Sequence, residues 1–271
     1  MADRTPADRD RLKVTFDTVA DSYDAARPDY PDALYDALIV AANLRTGSRL
    51  LEIGSGTGKA TTPLAERGFA VTCLEPGGRL AAVARRRLAH FPQVDVIESA
   101  FEDWQPGPGE RFDLVFAATA WHWIDPAVGY RLAWQALRPD GHLAIWAADH
   151  VLPADGDQFF REIQPAYDEI GEGLPPGTGF PKPGRLPTMR ASIDGSGLFT
   201  VGATSEFIWE RNYTAAEYIA LLDTFSSHID MAQWQRDRLY AEVRRHLAAR
   251  PDGKLRRHWG AVLHVAWRNA A

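Results

Sequence analysis

The stretch Arg49-Leu50-Leu51-Glu52-Ile53-Gly54-Ser55-Gly56-Thr57-Gly58 decides how this chain folds. Leu50, Leu51 and Ile53 read as the short apolar run of a buried parallel strand, and three alternate glycines follow it. Glycines let the backbone turn tightly and come close to a ligand with no Cβ in the way. A helix beginning near Lys59 then points its N-terminal N–H groups at that ligand. The pattern is the entrance to a nucleotide-type site in an α/β fold.

Spacing separates three glycine-loop chemistries. A P-loop needs a glycine at position 53 and a hydroxyl residue at 60, where the chain has Ile53 and Ala60. A dinucleotide fingerprint starting at Gly54 meets Lys59 in place of its third glycine, and one starting at Gly56 meets Thr61. What remains is Glu52-x-Gly54-x-Gly56-x-Gly58. The following segment, Phe69 to Leu74, reads as a second strand and ends in Glu75-Pro76. An acid at that strand end faces the same crevice as the glycine loop and can accept hydrogen bonds from both hydroxyls of a ribose. Glu75 therefore argues for a nucleoside, without saying which.

Further along, Val94 to Ile97 reads as a third strand leading into Glu98-Ser99-Ala100-Phe101-Glu102-Asp103-Trp104, and Arg111 to Ala118 as a fourth. Thr119-Ala120-Trp121-His122-Trp123-Ile124-Asp125-Pro126 follows, and after a helix comes Leu137-Arg138-Pro139-Asp140-Gly141-His142-Leu143-Ala144-Ile145-Trp146. From about Phe16 to Trp146 this series resembles the type 11 S-adenosylmethionine (SAM) methyltransferases, and in particular their trans-aconitate methyltransferase-like branch. The resemblance implies a Rossmann-like class I methyltransferase fold: a doubly wound, seven-stranded, mostly parallel sheet whose last strand is antiparallel. It implies that Gly54, Gly56 and Gly58 wrap the methionine part of SAM, that Glu75 holds the ribose, and that Ala100 and Phe101 lie against the adenine. Glu52, Ser55, Pro76 and Ala117 join the expected cofactor site, and the Asp that many relatives carry for the adenine amino group is absent after the third strand.

Composition narrows the class. The chain has 271 residues, 45% of them hydrophobic, enough for one elaborated domain spanning 1–271. A net charge of −6 argues against a nucleic-acid substrate, since phosphate contacts need a basic face. The lone cysteine, Cys73, excludes an internal disulfide and points to the cytoplasm; no metal-ligand spacing occurs. The polar N-terminus and the lack of a long apolar run predict a protein neither exported by a signal peptide nor held in a membrane. Its abundance of alanine, and of arginine over lysine, suggests a GC-rich bacterial genome.

Residues 8–44 read as an N-terminal helical cap, with Phe16, Val19 and Tyr23 on one apolar face and Leu34, Leu38 and Ala42 on another. Between them lies Tyr23-Asp24-Ala25-Ala26-Arg27-Pro28-Asp29-Tyr30-Pro31. In the resembled family this segment packs over the cofactor, so Tyr23 or Arg27 would meet the SAM carboxylate; alternatively the prolines only punctuate two helices. Residues 149–199 form an insertion rich in Gly and Pro, read as a substrate lid. A strand over 204–209, a helix over 213–222 with Thr214 and Glu217 as a capping box, a helix over 231–249 and a last strand over 261–267 complete the chain.

Methyl transfer from a sulfonium asks mainly for alignment and exclusion of water. An ionised acceptor needs nothing more, whereas a hydroxyl acceptor is helped by a base, and His122 just past the fourth strand is the candidate, as a base or as an orienting residue. Trp121, Trp123, Trp146 and Trp209 fall near strand ends and would rim an apolar acceptor site. If the acceptor is a carboxylate, Arg185, Arg190 or Arg211 would clamp it, with Arg190 the leading choice. The reading is a cytoplasmic SAM-dependent O-methyltransferase of a small molecule, a monomer or homodimer without nucleic-acid or membrane partners. An NAD(P)-linked oxidoreductase and a non-catalytic SAM-binding protein are the rivals.

Overall fold

In a computed structural model that describes residues 24–270, Arg49–Ile53 forms strand β1 at the centre of the sheet, and every residue of it after Arg49 is buried. It pairs in parallel with β2 (Ala70–Leu74) on one side and with β4 (Phe112–Ala118) on the other. β3 (Val94–Ile97) extends the sheet beyond β2, and β5 (Leu137–Trp146) extends it beyond β4. The sheet turns antiparallel at β8 (Lys254–Arg268), which pairs with β5, with β6 (Ala148–Val151) and with β7 (Phe199–Thr214). The order is β3-β2-β1-β4-β5-β8-β6, with β7 on the other side of β8, one strand more than expected from the sequence. β5 and β6 keep one register against β8, so they form a single line of pairing interrupted at Ala147.

Alternate residues of each strand face opposite layers. Leu50, Cys73, Phe116 and Trp146 pack under α1 (Asp32–Ala41), α2 (Thr61–Glu66) and α3 (Gly78–Leu88). Leu51, Leu74, Val115 and Ile145 pack against α4 (Gly129–Ala136) and α7 (Arg190–Gly195) on the other face. A third cluster joins α5 (Phe159–Glu162), α6 (Gln164–Glu169), α8 (Ala215–Leu222) and α10 (Gln233–Ala248) to the ends of β7 and β8 through Tyr213, Leu255 and Trp259. A short α9 (Ser226–Ile229) lies between α8 and α10. None of the described helices is long and apolar enough to cross a membrane.

Leu34 and Leu38 are buried on α1 as their spacing predicts, while Phe16, Val19 and Tyr23 lie outside the described residues. The capping box is present: Glu217 N–H donates to Thr214 Oγ1 at 3.3 Å and Thr214 N–H to Glu217 Oε2 at 2.8 Å. The last two strands run longer at both ends than hydrophobicity suggested. Their outer halves carry Glu210, Arg211, Arg256 and Arg257, whose charges break the apolar pattern although the backbone pairing continues through them.

Candidate active site

The chain order reverses direction between β1 and β4, and in such sheets the crevice lies beyond the carboxyl ends of those strands. There the glycine turn approaches the loop after β4 closely: a Cβ on Gly54, at φ +65°, would come within 2.7 Å of Ala120 Cβ. Gly56, at φ +56°, instead faces open space. The turn is pinned from β2. Gly56 N–H donates to Glu75 Oε2 at 2.7 Å and Gly77 N–H to Glu75 Oε1 at 2.8 Å, while Gly54 N–H donates to the Leu74 carbonyl.

These elements enclose a cleft of about 350 Å³. Glu52, Gly54, Ser55, Gly56, Glu75, Pro76, Ala100 and Phe101 line it, and Arg27, His122 and Trp123 close its other side. Arg27 is drawn across the fold by Thr224, donating from Nε to Oγ1 at 2.9 Å and from Nη2 to the carbonyl at 2.7 Å, with its guanidinium over the Phe225 ring at 4.3 Å. Glu102 Oε1 accepts from Asp125 N–H at 3.1 Å, which ties the loop after β3 to the loop after β4. That bond gives the Phe101-Glu102-Asp103-Trp104 and His122-Trp123-Ile124-Asp125 elements a shared physical reason.

Other expected residues lie elsewhere. Gly58 does not line the cleft; a Cβ there would strike the Leu88 side chain at 2.9 Å, so its task is helix packing. Ala117 points into the core and its neighbour Ala118 reaches the cleft. Trp121 is buried against Tyr130 at 5.0 Å between ring centroids. Trp146 is 1% exposed and stacked on Phe116 at 5.6 Å, so both tryptophans are core residues and not an acceptor wall. Trp209 packs on Tyr30 away from the cleft. Arg190 is spent at the sheet edge, donating to the Val201 carbonyl and to Thr204 Oγ1 at 3.2 Å each, because α7 lies on the face opposite α1. Tyr23 is outside the described residues.

The cleft also holds residues that sequence reading missed. Thr119 adopts φ +57°, a conformation costly for a β-branched residue, of the order of 1–3 kcal/mol. Its Oγ1 accepts from Ala148 N–H at 3.0 Å and is hydrogen-bonded to Tyr30 Oη at 2.7 Å, which holds the loop after β4 to the β5–β6 junction. Asp149, Phe225 and Trp259 come from three distant segments, and no local pattern marks them. Glu52 is 1% exposed and accepts from Thr61 Oγ1 at 2.5 Å. Burial pushes its carboxyl up to about 8, with the Thr61 hydrogen bond opposing and Glu75 adding to the rise, so Glu52 is protonated at neutral pH.

The donor set suits SAM. Gly56 leaves room where a side chain would stand, Thr57 Oγ1 is buried without a hydrogen-bond partner, and the carboxylate of Glu75 closes the end of β2. Comparison with known proteins agrees. Residues 51–145 match the methyltransferase domain family, type 11. An uncharacterized methyltransferase of Mycobacterium tuberculosis is 29% identical over 204 residues, 74% of this chain and 78% of that protein. A trans-aconitate 2-methyltransferase of Paracidovorax citrulli is 32% identical over 142 residues, 50% of this chain and 53% of that one. The fold is shared with a SAM-dependent methyltransferase of Geobacter sulfurreducens solved with S-adenosylhomocysteine, at a TM-score of 0.50 and 18% identity, covering 90% of this chain and 93% of that chain. On the domain match, residues 51–145 are a methyltransferase domain, and the geometry of the cleft they build fits SAM as its cofactor.

Proposed function

We propose that the enzyme methylates an oxygen of a small organic acceptor. The observation that carries this reading is a junction of two cavities. Ala148, Asp149, Phe225 and Trp259 line both the cleft and a second cavity of about 270 Å³, whose other walls include Phe160, Phe180 and Leu222. A room of aromatic and apolar side chains with polar groups among them, sharing a wall with the cofactor cleft, fits an organic acceptor better than a polymer.

Within the cleft, Gly54, Ser55 and Gly56 would hold the amino-acid end of SAM, Arg27 its carboxylate, Glu75 with Pro76 its ribose, and Ala100 with Phe101 its adenine. When bound, SAM supplies a methyl carbon on a sulfonium, which passes to an acceptor lone pair while the sulfur keeps the electrons of the broken C–S bond. The protein's share is to align the acceptor and exclude water. A carboxylate arrives ionised and needs no base. A hydroxyl must lose its proton, and His122, which lines the cleft with its ring against Trp123 at 4.6 Å, would take it or orient the acceptor. Within residues 149–199 it is His150, Phe160, Ile163 and Phe180 that wall the second cavity and would cover the acceptor, and within the described part of the N-terminal segment it is Arg27, Pro28 and Tyr30 that would cover the cofactor. The similarity to an enzyme named for trans-aconitate, a carboxylic acid, supports an acid acceptor. The single buried thiol, Cys73, fits work in the reducing cytoplasm, as monomer or homodimer.

The test is transfer of label from methyl-tritiated SAM to small acids, trans-aconitate among them, and to phenols and alcohols, followed by mild alkali. An ester returns the label as volatile methanol and an ether retains it. Transfer only to nitrogen or carbon acceptors overturns the oxygen assignment.

A further inference from the structure

The second cavity contains a charge that no described residue neutralises at contact range. Arg257, on β8, lines this cavity and is 5% exposed. Its guanidinium sits among aromatic faces, with the Trp259 ring at 4.3 Å, Phe225 at 5.4 Å and Phe160 at 5.9 Å. Within the described residues its one hydrogen bond runs from Nη1 to Tyr218 Oη at 3.4 Å, and its buried Nε has no acceptor. Arginine does not give up its proton at any pH a protein survives, so this is a permanent buried cation with most of its donors unused.

Its surroundings compensate only in part. Aromatic faces attract a guanidinium but offer no lone pairs in its plane. Asp149, on the wall shared with the cofactor cleft, feels the cation without reaching ion-pair distance: burial raises its carboxyl, and Arg257 first and Arg27 second pull it back. His150 and His228 also line the cavity, held down to about 2 and about 4 by burial and then by Arg257, so both are neutral near pH 7 and add donors without adding charge. His228 is oriented by Tyr167, whose Oη lies 3.0 Å from Nε2. Glu172, at the cavity's edge, is exposed.

A planar cation with a free fork of N–H groups, set in an apolar wall, matches a carboxylate in geometry and charge. We propose that Arg257 anchors the carboxylate of the acceptor, a small acid with an apolar body, at a subsite separated from the methyl-transfer cleft by Asp149, Phe225 and Trp259. The anchored end stays behind that wall, and the reacting oxygen reaches past it toward the cleft. This rests on the methyltransferase reading only for what the neighbouring cleft does; the anion site itself stands on Arg257.

The test is calorimetry on the full chain saturated with S-adenosylhomocysteine, using phenylacetate and 3-phenylpropanoate against their neutral primary amides. The acids bind, and the amides bind about tenfold more weakly or worse. Arg257→Gln abolishes the preference for acid over amide while S-adenosylhomocysteine binds as before, and Arg257→Lys retains part of it. If the Gln variant fails to fold, the acid and amide comparison on the wild type still decides. Failure of S-adenosylhomocysteine to bind the wild type would fall on the methyltransferase reading, and the same titrations without it would still judge Arg257. Equal affinity for acid and amide, no binding of either acid, or a Gln variant that keeps the full preference overturns the proposal and leaves the cation balanced internally by Asp149.

Discussion

Glu52 offers the sharpest test of the site's electrostatics, because its side chain is buried, neutral and removable without loss of shape. Replacing it with Gln keeps the volume and an oxygen for the Thr61 hydroxyl, and takes away only the proton equilibrium. In the wild type the carboxyl sits at about 8 in the fold, against 4.5 for the ordinary value that the unfolded chain restores. A raised folded value means that the native state binds one more proton than the unfolded state between those two limits. Its contribution to stability is therefore complete below the unfolded value and is lost as pH rises toward the folded one. Each pH unit in that window is worth about 1.4 kcal/mol, so between about pH 5 and pH 7.5 the wild type should lose about 3 kcal/mol that Glu52→Gln does not lose. All other titrating groups are common to both proteins, and subtracting the curves removes them. Urea unfolding of the cofactor-free proteins across this range should show the variant gaining on the wild type as pH rises. Parallel curves, or a gap that narrows with pH, would refute a neutral buried Glu52.

Glu75→Gln should weaken S-adenosylhomocysteine binding by roughly 1.5 to 3 kcal/mol, the scale of hydrogen bonds to a charged acceptor, with the melting curve little changed; an unaltered dissociation constant in calorimetry would make Glu75 only the pin of the glycine turn that its bonds to Gly56 and Gly77 describe. Gly56→Val should do worse, since it adds strain at φ +56° and fills the open side of the turn, so retained cofactor affinity in the same titration would contradict the placement. His122→Ala should lower single-turnover rates by about 10²-fold for a hydroxyl acceptor and less than about tenfold for a carboxylate, with SAM affinity unchanged; equal effects on both acceptor classes would reject the base role.

The apolar run Leu50, Leu51 and Ile53 with the alternate glycines after it, the acid at the end of the second strand and the spacing of the later strands were enough to determine the class of fold and to pick out residues that line one cleft. The reason is local. A βα turn binds through its own backbone, so the residues that matter lie within a few positions of one another and their spacing can be read. Even there, assignment by proximity overreached: Gly58 serves Leu88, and Trp121 and Trp146 serve the core, because side-chain direction alternates along a strand and changes around a turn. The second cavity belongs to the tertiary structure alone. Asp149, Phe225, Arg257 and Trp259 meet because the β5–β6 line, the α8–α9 loop and the long β8 converge at one end of the sheet, and each is locally an ordinary residue. Arg257 in particular stands in a run of basic residues, Arg256-Arg257-His258, which looks solvated in sequence. Pairing on both sides of β8 and the helices packed over it decide which of those charges is buried.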